Sequence, residues 1–295
     1  MKQDDARPGG DDTRRGFLLA LAAYLLWGAM PLYFDALAHV PTAEVIAHRI
    51  VWSVPVALAV LVWLGRTAEL RAAFGQPRTL ATGALASLLI AANWGVYVWA
   101  VQSGRTLEAA LGYYINPLFS ILLGRVLLGE RLMARQWVAV GLAGVAVAIL
   151  TWEAGRLPVV ALALTVTWGC YAYLKRTLPI GPNQGFALEV ILLAPVALGW
   201  LAWQGGGVAP QADAATLGLL LVAGLVTAVP LMLYANGAKG LRLSTIAVMQ
   251  YLTPSLVFLV AVLILGEAFD GAKLVAFPLI WAALVLYSSG YLRRH

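Results

Sequence analysis

Ten stretches of this chain are apolar for long enough to cross a bilayer as helix, at residues 16–34, 43–64, 79–102, 107–128, 134–151, 157–174, 184–203, 216–236, 243–265 and 272–292. A hydrocarbon core roughly 30 Å thick needs about 20 helical residues. Such segments must satisfy every backbone amide internally, which leaves helices as the solution for runs of this kind. The gaps are short and carry Gly, Pro and charge, as in Arg66 to Pro77, Leu128 to Arg135 and Gln204 to Ala215. None is long enough for a separate soluble domain. Thr13-Arg14-Arg15-Gly16 resembles a twin-arginine export signal, but nine further apolar runs follow it, so both arginines read as anchors of the first helix.

Composition agrees with lipid as the main solvent. The chain is 61% hydrophobic and 12% charged, about half the charge of a soluble domain. Its net charge of +6 is spread over the gaps rather than gathered into a solvated patch, which argues against nucleic acid. Of the 20 Lys and Arg, Arg49 and Arg125 lie within helices and Arg105, Arg156 and Lys273 fall in gaps on one side. The other fifteen fall on the side of the N-terminus, which the positive-inside rule makes cytoplasmic. Both termini are then cytoplasmic. The single Cys170 permits no intrachain disulfide, and no metal motif or cofactor motif occurs.

The second half of the chain repeats the first. Tyr114-Ile115-Asn116-Pro117 matches Tyr251-Leu252-Thr253-Pro254, and Gly129-Glu130 matches Gly266-Glu267, all at an offset of 137. Trp27-Gly28 recurs as Trp168-Gly169 at offset 141, and Pro55-Val56-Ala57-Leu58 as Pro195-Val196-Ala197-Leu198 at offset 140. Five spans per half is an odd number, so the second half starts on the opposite side of the membrane. The expected fold is therefore an all-α integral membrane protein, with ten transmembrane helices as two inverted five-helix repeats at 16–151 and 157–292. Residues 1–15 are expected to form a disordered cytoplasmic tail.

The Trp-Gly pair opening each half and the Pro…Gly-Glu ending of its fourth span resemble the EamA family of the drug/metabolite transporter superfamily. Runs such as LAAYLLWGAMPLYF, EVIAHRIVWS, LEAALGYYINPLFSILLG and LRLSTIAVMQYLTPSLVFL resemble its RarD, or chloramphenicol-sensitivity protein, branch. The likeness extends over nearly all of the chain after residue 15. It implies an inner-membrane permease that holds its substrate in a cavity between the halves; it supplies no substrate. Arg125 is not part of that pattern.

Hydrocarbon penalises polar side chains, so polar helix faces indicate function. Tyr113, Asn116 and Ser120 share a face of the fourth span, and Gln250 and Thr253 take the equivalent places in the ninth. Asn93 and Tyr97 share a face of the third span, Thr227 and Tyr234 one of the eighth. With Trp27 and Trp168 as aromatic walls, these are the candidate substrate-binding residues; interhelical hydrogen bonding is the competing role. Pro117 and Pro254 are candidate kinks that free the carbonyls of Tyr113 and Gln250. His48, Arg49, Glu108 and Glu189 are candidate gating residues, with Arg49 expected to pair with Glu44 or Glu108, and Glu189 with Lys175 or Lys239. A small-residue stripe, Ala139, Ala143 and Ala146, serves either packing within the chain or a homodimer.

The expected function is a secondary transporter that moves a small organic metabolite or drug by alternating access, with export favoured over uptake and protons as a candidate coupling ion. A membrane-embedded enzyme competes weakly: no nucleophile elbow, no paired-histidine zinc motif and no helix-borne Asp pair occurs. A channel lacks a charged ring or filter motif.

Overall fold

The computed structural model describes residues 14–128, 132–241 and 243–292. The expected tail up to residue 13, the Gly129-Glu130 pair, and Arg131, Arg242, Arg293 and Arg294 of the charge count lie outside them. The described residues form helices and connections with no strand. In chain order the helices are α1 Arg14–Ala36, α2 Thr42–Trp63, α3 Thr67–Phe74, α4 Pro77–Gln102, α5 Thr106–Leu128 and α6 Ala134–Ala154. They continue as α7 Val159–Thr177, α8 Pro182–Trp203, α9 Ala214–Gly237, α10 Leu243–Met249, α11 Leu252–Leu259 and α12 Lys273–Leu292. Seven of them, α1, α2, α4, α5, α6, α8 and α9, are long and apolar enough to cross a membrane. Their outer faces carry the shell that lipid demands: Val62, Val126, Val196 and Leu263 are mostly exposed. Trp63, Trp152 and Trp203, each near a helix C-terminus, are 84%, 91% and 81% exposed, as interface tryptophans are. The protein is an all-helical, multi-pass membrane protein.

Two features differ from expectation. The amphipathic α3 fills the gap between Arg66 and Pro77; with eight residues and two charges, Glu69 and Arg71, it is too short and too polar to register as a span. The ninth apolar run is not one helix. α10 ends at Met249, Gln250 and Tyr251 form a turn, α11 follows, and Val260–Ile264 continues as π-helix. Pro254 lies four residues after Gln250 and has no N–H to give its carbonyl, so the helical ladder parts there. Pro117 sits inside an unbroken α5.

The bundle is held by pairs of helices: α1 with α9 and α11, α2 with α8 and α9, α4 with α7 and α8, α5 with α7 and α11, and α6 with α12. Glycine sets the closest approaches. A Cβ at Gly28 of α1 would lie 2.5 Å from the Leu256 side chain of α11, and one at Gly169 of α7 would lie 2.5 Å from the Phe119 ring of α5. Ala139, Ala143 and Ala146 are buried against α12 with Ala276, Ile280 and Ala283, so the small-residue stripe joins helices within the chain.

One end of the bundle is tied by carboxylates that accept from backbone amides. Glu44 takes Val208 N at 2.8 Å and Ala209 N at 3.3 Å. Glu108 takes Val160 N at 2.9 Å, Glu153 takes Ala272 N at 2.8 Å, and Glu267 takes Thr106 N at 2.5 Å and Leu107 N at 2.9 Å. Most of these amides open a helix or the short turn after Val208, where unpaired N–H groups and the helix dipole favour a negative charge. At the same end Asp213 caps α9 through Thr216 N at 2.8 Å. Hydrogen bonds from the Thr216 hydroxyl and amide hold its carboxyl below the usual aspartate range.

Candidate functional site

α2 carries Arg49 into the middle of the bundle, where it is 3% exposed. Its Nε donates to Thr227 Oγ1 of α9 at 2.9 Å, and that hydroxyl in turn donates to Ala223 O at 2.8 Å. The guanidinium carbon lies 4.7 Å from the Trp94 ring centroid and 5.0 Å from that of Phe34, distances at which an aromatic face attracts a cation. Tyr33, Tyr97 and Tyr113 are close enough to interact with it electrostatically. Tyr97 packs edge-on against both Phe34 and Tyr113, so α1, α2, α4, α5 and α9 each supply a wall. Arg49 Nη1 is buried and has no hydrogen-bond partner.

Arg49 pairs with neither Glu44 nor Glu108, contrary to expectation. Glu44 is held by the amides of Val208 and Ala209, and Glu108 by Arg105 at 2.5 Å and by Val160 N. Both acids lie at helix starts, where backbone donors reach them first. His48 accepts from Trp52 Nε1 at Nδ1, 3.2 Å away, and turns Nε2 toward Glu44 at 3.9 Å.

A second aromatic cluster lies along α1. Tyr24, Trp27 and Tyr234 of α9 meet pairwise with centroids 5.5 to 5.8 Å apart. Thr253 joins it by donating to Tyr24 O at 3.2 Å. Trp27 packs against both this cluster and the apolar group around Phe34 and Tyr97, so aromatic surface runs from Arg49 to the break between α10 and α11. Trp168 is elsewhere, against Tyr171 with the α2, α4 and α8 side chains. The structure does not bring the two tryptophans together as facing walls.

Other candidates separate by what holds them. Asn93 donates to Leu164 O at 3.1 Å and Thr167 Oγ1 at 2.9 Å, both on α7. Asn116 is buried, and its Oδ1 has no partner. Ser120 is exposed. Gln250 is half-buried at the break. α5 and α11 meet where Tyr114 OH contacts Ser255 Oγ at 2.8 Å.

Glu189 is 1% exposed, pairs with Lys175 Nζ at 2.5 Å and accepts from Tyr171 OH at 3.2 Å. Lys175 is one of the two partners expected for Glu189; the side chain of the other, Lys239, is outside the described ones. Sequence reasoning passed over Phe34, Trp94 and Glu267. Trp94 is neighbour to Asn93, and Glu267 belongs to the repeated Gly-Glu pair, so both carried a signal.

Comparison with known proteins follows the same line. The EamA-like transporter family matches residues 14–152. An uncharacterized transporter of Vibrio cholerae is 42% identical over 95% of this chain and 94% of its own length. Protein RarD of Escherichia coli is 38% identical over 93% and 94%. The chloramphenicol-sensitive protein RarD of Pseudomonas aeruginosa is 35% identical over 92% and 93%. One solved crystal structure shares the fold, with a TM-score of 0.62 over 92% of this chain and 96% of that one, at 20% identity. With relatives this similar over almost its whole length, the chain belongs to the EamA-like transporter family, on its RarD branch.

Proposed function

We propose that this transporter is a secondary carrier that exports a small organic metabolite or drug by alternating access, built as two inverted five-helix halves. The halves are α1, α2, α4, α5 and α6 (residues 16–151), and α7, α8, α9, the broken α10–α11 and α12 (residues 157–292). The supporting observation is that the main helix pairs correspond when the halves are exchanged. α1 on α9 has its counterpart in α7 on α4, α1 on α11 in α7 on α5, and α2 on α9 in α8 on α4; α2 on α8 and α6 on α12 are their own counterparts. Even the glycine contacts correspond: Gly28 and Gly169 are repeat partners, and so are Leu256 and Phe119. Two halves related this way have two arrangements of similar energy, one open to each side. In this arrangement the end tied by Glu44, Glu108, Glu153 and Glu267 is the shut one.

The basic asymmetry makes that end external and both termini cytoplasmic. Ten spans follow when α7, α10–α11 and α12 are added to the seven long apolar helices. Single cysteines at Gly206, Gly104 and Thr67, in a Cys170-free background, test this: external reagent labels the first two and not the third, and labelling of 67 overturns the topology. The same carrier reading is preferred over an enzyme because the interior offers a charged, aromatic enclosure in which no catalytic nucleophile-and-base pair is placed among the described residues. A relative named for chloramphenicol sensitivity adds weight to drugs as cargo. The deciding experiment is a metabolite and drug panel in proteoliposomes, with and without a proton gradient. Carrier function requires saturable flux of some member; flux that never saturates points to a channel.

A further inference from the structure

We infer that Arg49 is the receptor for the carboxylate of a singly anionic substrate, an inference that rests on the carrier reading. A guanidinium has five N–H donors and keeps its charge under all ordinary conditions. Here one donor goes to a neutral hydroxyl, Nη1 has no partner, and no salt bridge reaches the group among the described residues. An uncompensated buried charge is among the costliest things a fold can hold. Aromatic faces offset part of that cost, but they supply no hydrogen-bond acceptor for Nη1.

The repeat partner of Arg49 makes the point by contrast. Glu189 stands at the equivalent place in the second half and is equally buried, yet it has both Lys175 and Tyr171. The scaffold can therefore supply a counter-ion at this position. The two acids expected as partners of Arg49, Glu44 and Glu108, are both occupied by backbone amides.

The surroundings define the ligand. Phe34, Trp94, Tyr97 and Tyr113 give an apolar, flat-sided enclosure, which suits a planar or aromatic body. One cation neutralises one negative charge, so a dianionic phosphate would leave a charge uncompensated. Among the described residues no unengaged carboxylate adjoins Arg49 to receive an ammonium, which disfavours a zwitterion. Asn116 Oδ1, one turn along α5 from Tyr113, is a buried acceptor without a donor and suits a hydroxyl or amide N–H on the same body.

The test uses the purified full chain and matched probes: phenylacetate, its neutral isostere phenylacetamide, the zwitterion phenylalanine, and phenyl phosphate. Binding is read from tryptophan fluorescence and from thermal stabilisation. Phenylacetate should bind about ten- to a hundredfold more tightly than phenylacetamide, the range that charge-assisted hydrogen bonds supply. Arg49→Lys should retain that preference in weaker form, and Arg49→Gln should abolish it. No preference for phenylacetate in the wild type overturns the inference, whether or not Arg49→Gln folds. A preference that persists in Arg49→Gln places the anion site elsewhere, and tighter binding of phenyl phosphate or phenylalanine rejects the monoanion. Proteoliposome flux separates the two readings. Charge-selective binding without flux of any panel member would remove the carrier and leave the anion site. Flux of neutral compounds only would do the reverse.

Discussion

Breaking the Lys175–Glu189 pair should be far more harmful than removing it. Glu189 is 1% exposed and Lys175 23%, so the two ions differ in what they lose when left alone. Lys175→Met strands a carboxylate in the bundle with only the Tyr171 hydroxyl to solvate it. Loss of one partner of a buried pair costs about 3–5 kcal/mol, and this variant should fall toward the top of that range. Glu189→Gln keeps the shape and the Tyr171 contact, and its stranded ammonium can reach solvent, so its cost should be near the bottom. Replacing both by methionine removes both charges. Apolar substitution of a whole buried pair is often neutral, so the double variant should stay within about 1–2 kcal/mol of wild type. For a chain of this size each kcal/mol moves the melting temperature by about 2–4 °C. The single variants should therefore melt well below the double variant when intrinsic fluorescence is followed in one detergent. The pair's coupling is the departure from additivity. A double variant that loses the sum of the two single losses would refute the argument, and would mean that the ions act on separate neighbours.

Gly28→Ala should cost about 1–3 kcal/mol by overpacking, partly offset by better helix propensity, and Leu256→Ala in the same chain should not restore the melting temperature, because the Leu256 Cβ that alanine keeps itself lies 2.5 Å from the added methyl. Asn93→Ala should lower stability by about 1–3 kcal/mol, the cost of orphaning buried partners, with substrate affinity little changed. Asn116→Ala should do the opposite, weakening affinity with a small change in melting temperature; both are read on the same purified protein. Asp213→Asn should destabilise the protein at neutral pH. Because the folded-state pKa of Asp213 is depressed, its contribution is complete above the usual aspartate pKa of about 4 and fades as pH falls through the folded value, so thermal melts of the two proteins should converge in acid.

Spans were legible in the sequence because lipid allows few alternatives: an apolar run of sufficient length has to be helix. The break at Gln250 was harder to read. Pro117 and Pro254 occupy matching places, yet only the second interrupts its helix, so proline alone does not decide, and the neighbouring helices do. The Glu189 partner was legible as one of two lysines, Lys175 or Lys239. The Arg49 environment was not, since it depends on residues from four other helices and on the capture of Glu44 by a loop more than 160 positions away. Polar faces located Tyr97, Tyr113 and Asn116 but did not separate an asparagine engaged with a neighbouring helix from one with an open acceptor. That distinction lies in three-dimensional partners, which periodicity does not encode.

The carboxylates that tie one end of the bundle hold backbone amides, and this shapes how the sequence can drift. Every residue but proline offers the same N–H. Thr106, Leu107, Val160, Val208, Ala209 and Ala272 can therefore change identity without disturbing the bond each donates, whereas no substitution at any of these positions can compensate for a lost Glu44, Glu108, Glu153 or Glu267. Comparison of relatives should show the acids fixed beside freely varying partners, with no paired substitutions to betray the contact. A tie that is strong in the molecule would then be silent to any method that looks for residues changing together.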